Sequence, residues 1–263
     1  MRSEERQKFI LKAANDSGFV SISDVAGKLE VSVETVRRDI NKLCEVNLLR
    51  KSFGGAVPIK LALRKDNEYA WRKRHNLQEK MAIGAEAAKL IRSNSVVAFS
   101  SGSSIEALIP FIPQVHNVIF VTGSISVASS LIDRIEEGCF DGKLVLIGGE
   151  INLQDRFSKG SMAIDEIDRY NFDLSFLSCS ALSERGASLY GVDESIYAAH
   201  LMKHSTQTVL VAESTKVAKV SLYTYASITD FSKIIIGSTG DIPKAITDAL
   251  EKSNTELTIV KKE

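Results

Sequence analysis

SVETVRRDINKL, residues Ser32 to Leu43, reads as a helix with one dry face and one charged face. Ser32 is placed to cap its start, because a serine hydroxyl accepts one of the first unpaired backbone N–H groups. Val33, Val36, Ile40 and Leu43 recur at spacings of three and four and share a side. Thr35, Arg37, Arg38, Asn41 and Lys42 take the other. Charge runs on helices are usually solvated faces, so the neighbouring residues must decide whether this one has a partner.

Upstream, residues 4–15 form a first helix with Phe9, Ile10, Ala13 and Ala14 inward and Gly18 closing it. A short extended piece, FVSI, follows, and then SISDVAGKLEV. There Ser21 and Asp24 resemble a capping box, and Val25, Ala26 and Leu29 pack inward over about two turns. Only Glu30 to Ser32 separate this helix from the next, the arrangement of a helix-turn-helix. Downstream, Leu48–Lys51 and Ala56–Ile59 pair as a hairpin, with Gly54-Gly55 supplying the positive φ of a tight turn. A hairpin bearing Arg50 and Lys51 directly after such a helix is a wing, set to meet phosphates. Arg forks onto guanine edges or clamps phosphate, and Thr and Asn read bases or backbone. Double-stranded DNA is therefore the expected partner. Ser32, Glu34, Thr35, Arg37, Arg38, Asn41, Lys42, Arg50 and Lys51 are the candidate contacts.

Charge distribution agrees. The 263 residues have a formal net charge of zero. Residues 1–80, however, hold 17 Lys and Arg against 11 Asp and Glu, leaving 16 against 22 in the remainder. A basic front on an acidic body suits a polyanion-binding head joined to a soluble module. Cys44, Cys139 and Cys179 are far apart and in no CxxC pattern, as in a reducing compartment. Charges stand where a signal peptide needs an apolar core, and no apolar run approaches the ~20 residues that span a bilayer. No membrane partner and a cytoplasmic location are expected.

After a basic stretch comes a helix, Glu79 to Ile91, with Met81, Ile83, Ala87, Leu90 and Ile91 on its apolar side. Apolar runs then follow at 95–100, 117–122, 143–148, 173–178, 207–212 and 232–237. Helical patterns at Ser103–Ile112, Ser124–Ile135, Met162–Tyr170, Glu194–His204 and Ile242–Lys252 alternate with most of them. Continuous apolar strands between helices predict a mostly parallel sheet covered on both faces, with ELTIV pairing at an edge. The expected fold class is α/β: a winged helix-turn-helix over 1–58, a linker over 59–78 and a larger α/β sensor and oligomerisation domain over 79–263. Ligands of such sheets bind beyond the C-terminal strand ends, where this chain gathers small hydroxyl residues. Backbone N–H groups and hydroxyls there form a cradle for phosphate or carboxylate, with Lys216 or Lys159 to neutralise it.

SISDVAGKLEVSVETVRRDINKL followed by LLRKSFGGAV resembles the head of the DeoR-type bacterial transcriptional regulators. Val31 to Ile40 match that family's recognition helix position by position, and Phe53 stands where its wing usually has His. The approach to the second domain, Arg72 to Gly84, is also similar. The resemblance implies a second domain folded like ribose-5-phosphate isomerase and the CoA-transferases, generally sensing a phosphorylated sugar or related metabolite. The family's pocket loops fall on Ser100-Ser101-Gly102-Ser103-Ser104, Thr122-Gly123, Ser178-Cys179-Ser180-Ala181 and Ala212-Glu213-Ser214-Thr215-Lys216. Asp193 and Glu194 match an acidic pair, while Ala199 stands where the family usually has Lys. The effector-site candidates are Ser101, Gly102, Ser103, Ser104, Thr122, Gly123, Ser124, Gly149, Lys159, Ser180, Asp193, Glu194 and Lys216. A repressor of a carbohydrate-metabolism operon, working as a dimer or tetramer with a small anionic effector and no cofactor, is the implied function.

The competing reading is a metabolite enzyme with a vestigial head. An isomerase needs a carboxylate base and a cation at the pocket floor. Glu184 and Arg185 stand only at the far end of their loop, and Cys179 has no nearby His, so no catalytic residue is assigned. His200 and His204 have the i, i+4 spacing of metal ligands but no evident third ligand, so no metal is assigned either.

Overall fold

The computed structural model describes residues 3–17, 19–45, 48–52, 54–58, 66–238 and 242–261. The chain forms two compact units, Met1–Trp71 and Arg72–Glu263. In the first, α1 (Ser3–Ser17), α2 (Ile22–Leu29) and α3 (Val33–Glu45) surround a core of Ile10, Ala14, Val20, Val25, Val36, Ile40, Leu43, Leu49 and Ala56. Ser21 caps α2 by accepting from the Asp24 N–H, and left-handed Glu30 (φ 51°) ends it. β1 (Val20–Ser21), β2 (Leu49–Ser52) and β3 (Gly55–Pro58) form an antiparallel sheet in the order β1-β3-β2.

Two expectations for this unit need correction. Val33 does not join the dry face; as the first residue of α3 it precedes the packed part of the helix and is 44 % exposed. Of the two hairpin glycines only Gly54 has positive φ, +74°. Gly55 is needed for space instead, since a Cβ there would stand 2.0 Å from the Val20 carbonyl oxygen. Gly18, Phe53 and Ile59 lie outside the described residues, as do residues 59 to 65 of the linker expected over 59–78; the rest of that stretch is not an open linker, since Asp66–Arg74 is a helix and the next helix begins at Leu77.

The second unit is built on seven parallel strands. β4 is Val96–Phe99, β5 Val118–Thr122, β6 Gly142–Leu146, β9 Phe172–Ser178, β12 Ser205–Ala212, β14 Lys233–Gly237 and β15 Glu256–Val260. Their order is β15-β14-β12-β9-β4-β5-β6. Alternation along each strand feeds two cores. Val209 and Val211 turn to one side with Val97, Phe99, Phe120, Phe176 and Ile235, while Leu210 and Ala212 turn to the other with Ala98, Val121, Leu177, Tyr197 and Ile234. Phe99 and Phe176 stack at 5.5 Å between adjacent strands. Burying each such ring contributes about 2–3 kcal/mol.

All six apolar runs and ELTIV are strands, and ELTIV pairs in parallel at one edge of the sheet. The helix anticipated over 103–112 is instead a short turn, Ser103–Glu106, and a 3-10 turn, Ile109–Phe111, containing Pro110. The helix anticipated over 79–91 runs Leu77–Ala88. Met81 is 41 % exposed because the inward side of this helix is shared with Glu79 and Lys80. Two antiparallel additions were not anticipated: β7 (Glu150–Asn152) with β8 (Phe157–Lys159), and a sheet of β10 (Ala181–Ser183), β11 (Gly186–Leu189) and β13 (Tyr223–Ala226).

Candidate functional site

In the first unit, Ser32, Glu34, Arg37, Arg38, Asn41 and Lys42 are exposed on one side of α3. Ser32 caps the helix, its Oγ accepting from the Thr35 N–H at 3.2 Å and lying 2.8 Å from Thr35 Oγ1. Thr35 is thus half-buried and committed to the cap. Glu34 and Arg37 form a loose exposed pair at 3.8 Å. The next acidic residue behaves differently. Asp39 is 2 % exposed and accepts hydrogen bonds from Arg6 (2.7 Å), Ser3 (2.7 Å) and Gln7 (3.2 Å), all on α1. Burial alone would raise its carboxyl, but these partners outweigh it and hold Asp39 below the ordinary carboxylate value. Arg37 and Arg38 therefore point out while Asp39 anchors the helix from inside. Arg50 and Lys51 lie on β2 opposite Val57 and Ala56; their side chains are outside the described residues.

In the second unit the strand order reverses between β4 and β9, since later strands extend from β4 on one side and from β9 on the other. Such a switch point opens a crevice beyond the strand ends. The two loops are sewn together there. Ser100 donates its N–H to Phe176 O (2.9 Å), Ser178 N–H reaches Ser100 Oγ (3.2 Å), and Ser178 Oγ donates to Ser101 O (2.8 Å). Gly102 (φ +124°) has no room for a side chain, because a Cβ would lie 2.8 Å from Ser178 Oγ.

Ser101 Oγ donates to Glu194 Oε1 at 2.6 Å. Burial raises the Glu194 carboxyl above its ordinary range, opposed by the Ser101 hydrogen bond; Asp155 adds to the rise, while Arg72 and Lys216 oppose it. Cys179 is buried beside Lys216, Glu213 and Glu194, and burial pushes its thiol up to about 11. Ser101, Glu194, Cys179 and Lys216 therefore share one electrostatic neighbourhood. Ser103 and Ser104 are buried on the following turn, and Ser104 Oγ is among the buried atoms without a hydrogen-bond partner.

The other candidates are more occupied. Thr122 Oγ1 donates to Phe99 O and accepts from Ser124 N–H, both at 3.0 Å, and Ser124 caps the helix Ile125–Glu136. A Cβ on Gly123 would lie 2.6 Å from the Tyr197 hydroxyl. Gly149 (φ +134°) lies against Lys159 O, and Ser180 N–H donates to Ser188 O at 2.8 Å. Lys159 pairs with Glu150 (3.2 Å) and Asp193 (3.4 Å), which raise its ammonium. His200 and His204 both approach Asp168 Oδ1, at 2.6 and 3.0 Å.

A set of buried charged residues has no counterpart among the candidates expected from sequence. Lys80 is 1 % exposed, lies 3.5 Å from Glu213 Oε1, and donates to the carbonyls of Arg72 and His75. Burial lowers its ammonium, with Lys216 and Arg72 adding to the fall and Glu213 opposing it. Glu79 Oε1 accepts from Ser214 N–H at 2.6 Å, and its carboxylate fills the space over Gly237. Two adjacent charges, Glu79 and Lys80, in the first turn of a mostly apolar helix were the available signal.

Residues 6–61 match the family model for the DeoR-like helix-turn-helix domain, and residues 75–238 match the DeoR C-terminal sensor domain. The chain is 26 % identical to the HTH-type transcriptional repressor GlcR of Bacillus subtilis, covering 100 % of this chain and 98 % of that one. It is 28 % identical to the glycerol-3-phosphate regulon repressor of Haemophilus influenzae, over 98 % of each. To the HTH-type transcriptional regulator GlpR of Haloferax volcanii it is also 28 % identical, over 92 % of each. With the sensor model spanning more than half its length and the head model matched ahead of it, the chain belongs to the DeoR family of helix-turn-helix transcriptional regulators.

Proposed function

We propose that this regulator is a repressor that docks α3 in the major groove of operator DNA and is controlled by a small anionic metabolite at the β4–β9 crevice. The observation that carries the DNA reading is the division of RRD: Arg37 and Arg38 outward, Asp39 held inward by α1. Rigid backing keeps the exposed face in register with base edges and phosphates. Arg50 and Lys51 on the wing strand add phosphate contacts. Two relatives carry the word repressor in their names, and one of those names joins it to glycerol 3-phosphate, which supports a phosphorylated effector here. Among the cradle candidates, Ser101, Gly102, Ser103, Ser104, Glu194 and Lys216 are the residues assigned to the effector. Paired heads on a dimer or tetramer multiply affinity for two half-sites. Acting on the operator, the protein works in the cytoplasm.

The test is fluorescence anisotropy with duplex DNA from upstream of its own gene, with and without glycerol 3-phosphate. Specific binding that shifts with the metabolite supports the reading. Binding unchanged at saturating metabolite removes the effector part, because coupling must appear as a change in binding free energy.

A further inference from the structure

Five polar side chains along residues 72–80 reach loops at the strand ends, Glu79 through the Ser214 N–H already described. Arg72 Nη2 donates to Asp155 Oδ1 at 2.6 Å, in the turn between β7 and β8. Lys73 Nζ donates to Glu106 Oε1 at 2.6 Å, on the turn after β4. Asn76 Nδ2 donates to Glu213 Oε2 at 3.1 Å, and Lys80 lies 3.5 Å from Glu213 Oε1, in the loop after β12. That same Oε1 lies 3.6 Å from Lys216 Nζ. Glu213, 5 % exposed, is thus shared between a cation of the crevice and two residues of the segment. Lys80 passes the tie on, because its ammonium also closes the carbonyls of Arg72 and His75 at the end of the helix Asp66–Arg74.

We propose that residues 72–80 are the transmission element of this regulator, with Glu213 as the hub that reports the occupancy of Lys216 to the helix leading from the DNA-binding head. This rests on the reading of the crevice as an anion site. A carboxylate shared among three donors divides its attraction among them. An anion that takes Lys216 leaves Glu213 to Lys80 and Asn76, and the grip on the segment tightens. The helix Asp66–Arg74 then loses freedom at its C-terminal end, a change that needs no large movement in the sheet.

Amide hydrogen exchange on the full chain tests this. Lys216→Met mimics withdrawal of the lysine and should slow exchange several-fold over residues 66–80. Glu213→Gln should speed it. Unchanged exchange there in a folded Lys216→Met protein overturns the proposal, whether or not Glu213→Gln folds. Inorganic phosphate serves as the probe anion: slowing in the wild type but not in Lys216→Met supports the route. Equal slowing in both overturns it. A shift in the variant with no response to phosphate in the wild type upholds the hub and refutes the anion reading of the crevice alone.

Discussion

Arg6 Nε lies 2.7 Å from Asp39 Oδ2, joining the first helix to the buried back of the helix whose front carries Arg37 and Arg38. Arg6 is 14 % exposed at its side chain and Asp39 3 %, so the pair is well shielded. Removing one partner of such a pair leaves the other uncompensated and costs about 3–5 kcal/mol. Asp39→Ala is therefore expected to unfold the head at much lower urea and to abolish DNA binding. The melting of the second unit should stay unchanged, as read by its own thermal transition.

The same carboxylate sets an acid limit. Its native value is depressed, so the native state binds fewer protons than the unfolded chain as pH falls past the ordinary value of 3.8. The contribution of Asp39 is present above that value and lost as pH drops through the depressed one. Urea midpoints of the head measured from about pH 5 downward should fall steadily in the wild type. In Asp39→Asn the fall should be smaller across the same range.

Ser32 offers a gentler probe of the same helix. Its hydroxyl satisfies the Thr35 N–H. Ser32→Ala should cost the head about 1 kcal/mol, and Ser32→Gly less, since glycine is itself tolerated at a cap. Equal losses for both variants, in urea titrations followed by circular dichroism, would point away from capping.

Gly123 and Tyr197 are fitted to one another in the sensor domain. Gly123→Ala places a Cβ 2.6 Å from the buried tyrosine hydroxyl and 2.9 Å from Cζ. Overpacking of this kind costs about 1–3 kcal/mol. Tyr197→Phe in the same chain removes only the nearer clash, so part of the lost thermal stability should return. Full additivity of the two substitutions would deny the contact.

Much of this architecture was legible in the sequence because it is written in periodicity. The strand runs around Val97, Phe120, Val209 and Ile235 are apolar without interruption, and only a sheet buried on both faces calls for that. The helix-turn-helix was legible from Ser21, Ser32 and the three-residue spacer between α2 and α3. Short antiparallel pieces such as β7–β8 and β10–β11 were not, since strands of three or four residues have no period to read. Nor was the role of Asp39, Glu79, Lys80 or Glu213. A charged residue on a helix looks solvated until a partner distant in sequence is known, and these partners lie 32 to 137 residues away. Tertiary pairing, not local spacing, puts those charges inside.

If the outer face of α3 grips duplex DNA, the salt dependence of binding reports it. Operator affinity of the full chain should be followed by anisotropy from low to moderate salt, for the wild type, Arg37→Ala, Arg38→Ala and Lys42→Ala. Each phosphate contact removed should flatten the slope of log K against log salt by about one. A base-reading arginine should instead cost about 1–3 kcal/mol on the operator and little on unrelated duplex. Each of the three variants should show one of these two signatures; wild-type affinity and slope in all three would rule out the outer face of α3 as the DNA contact.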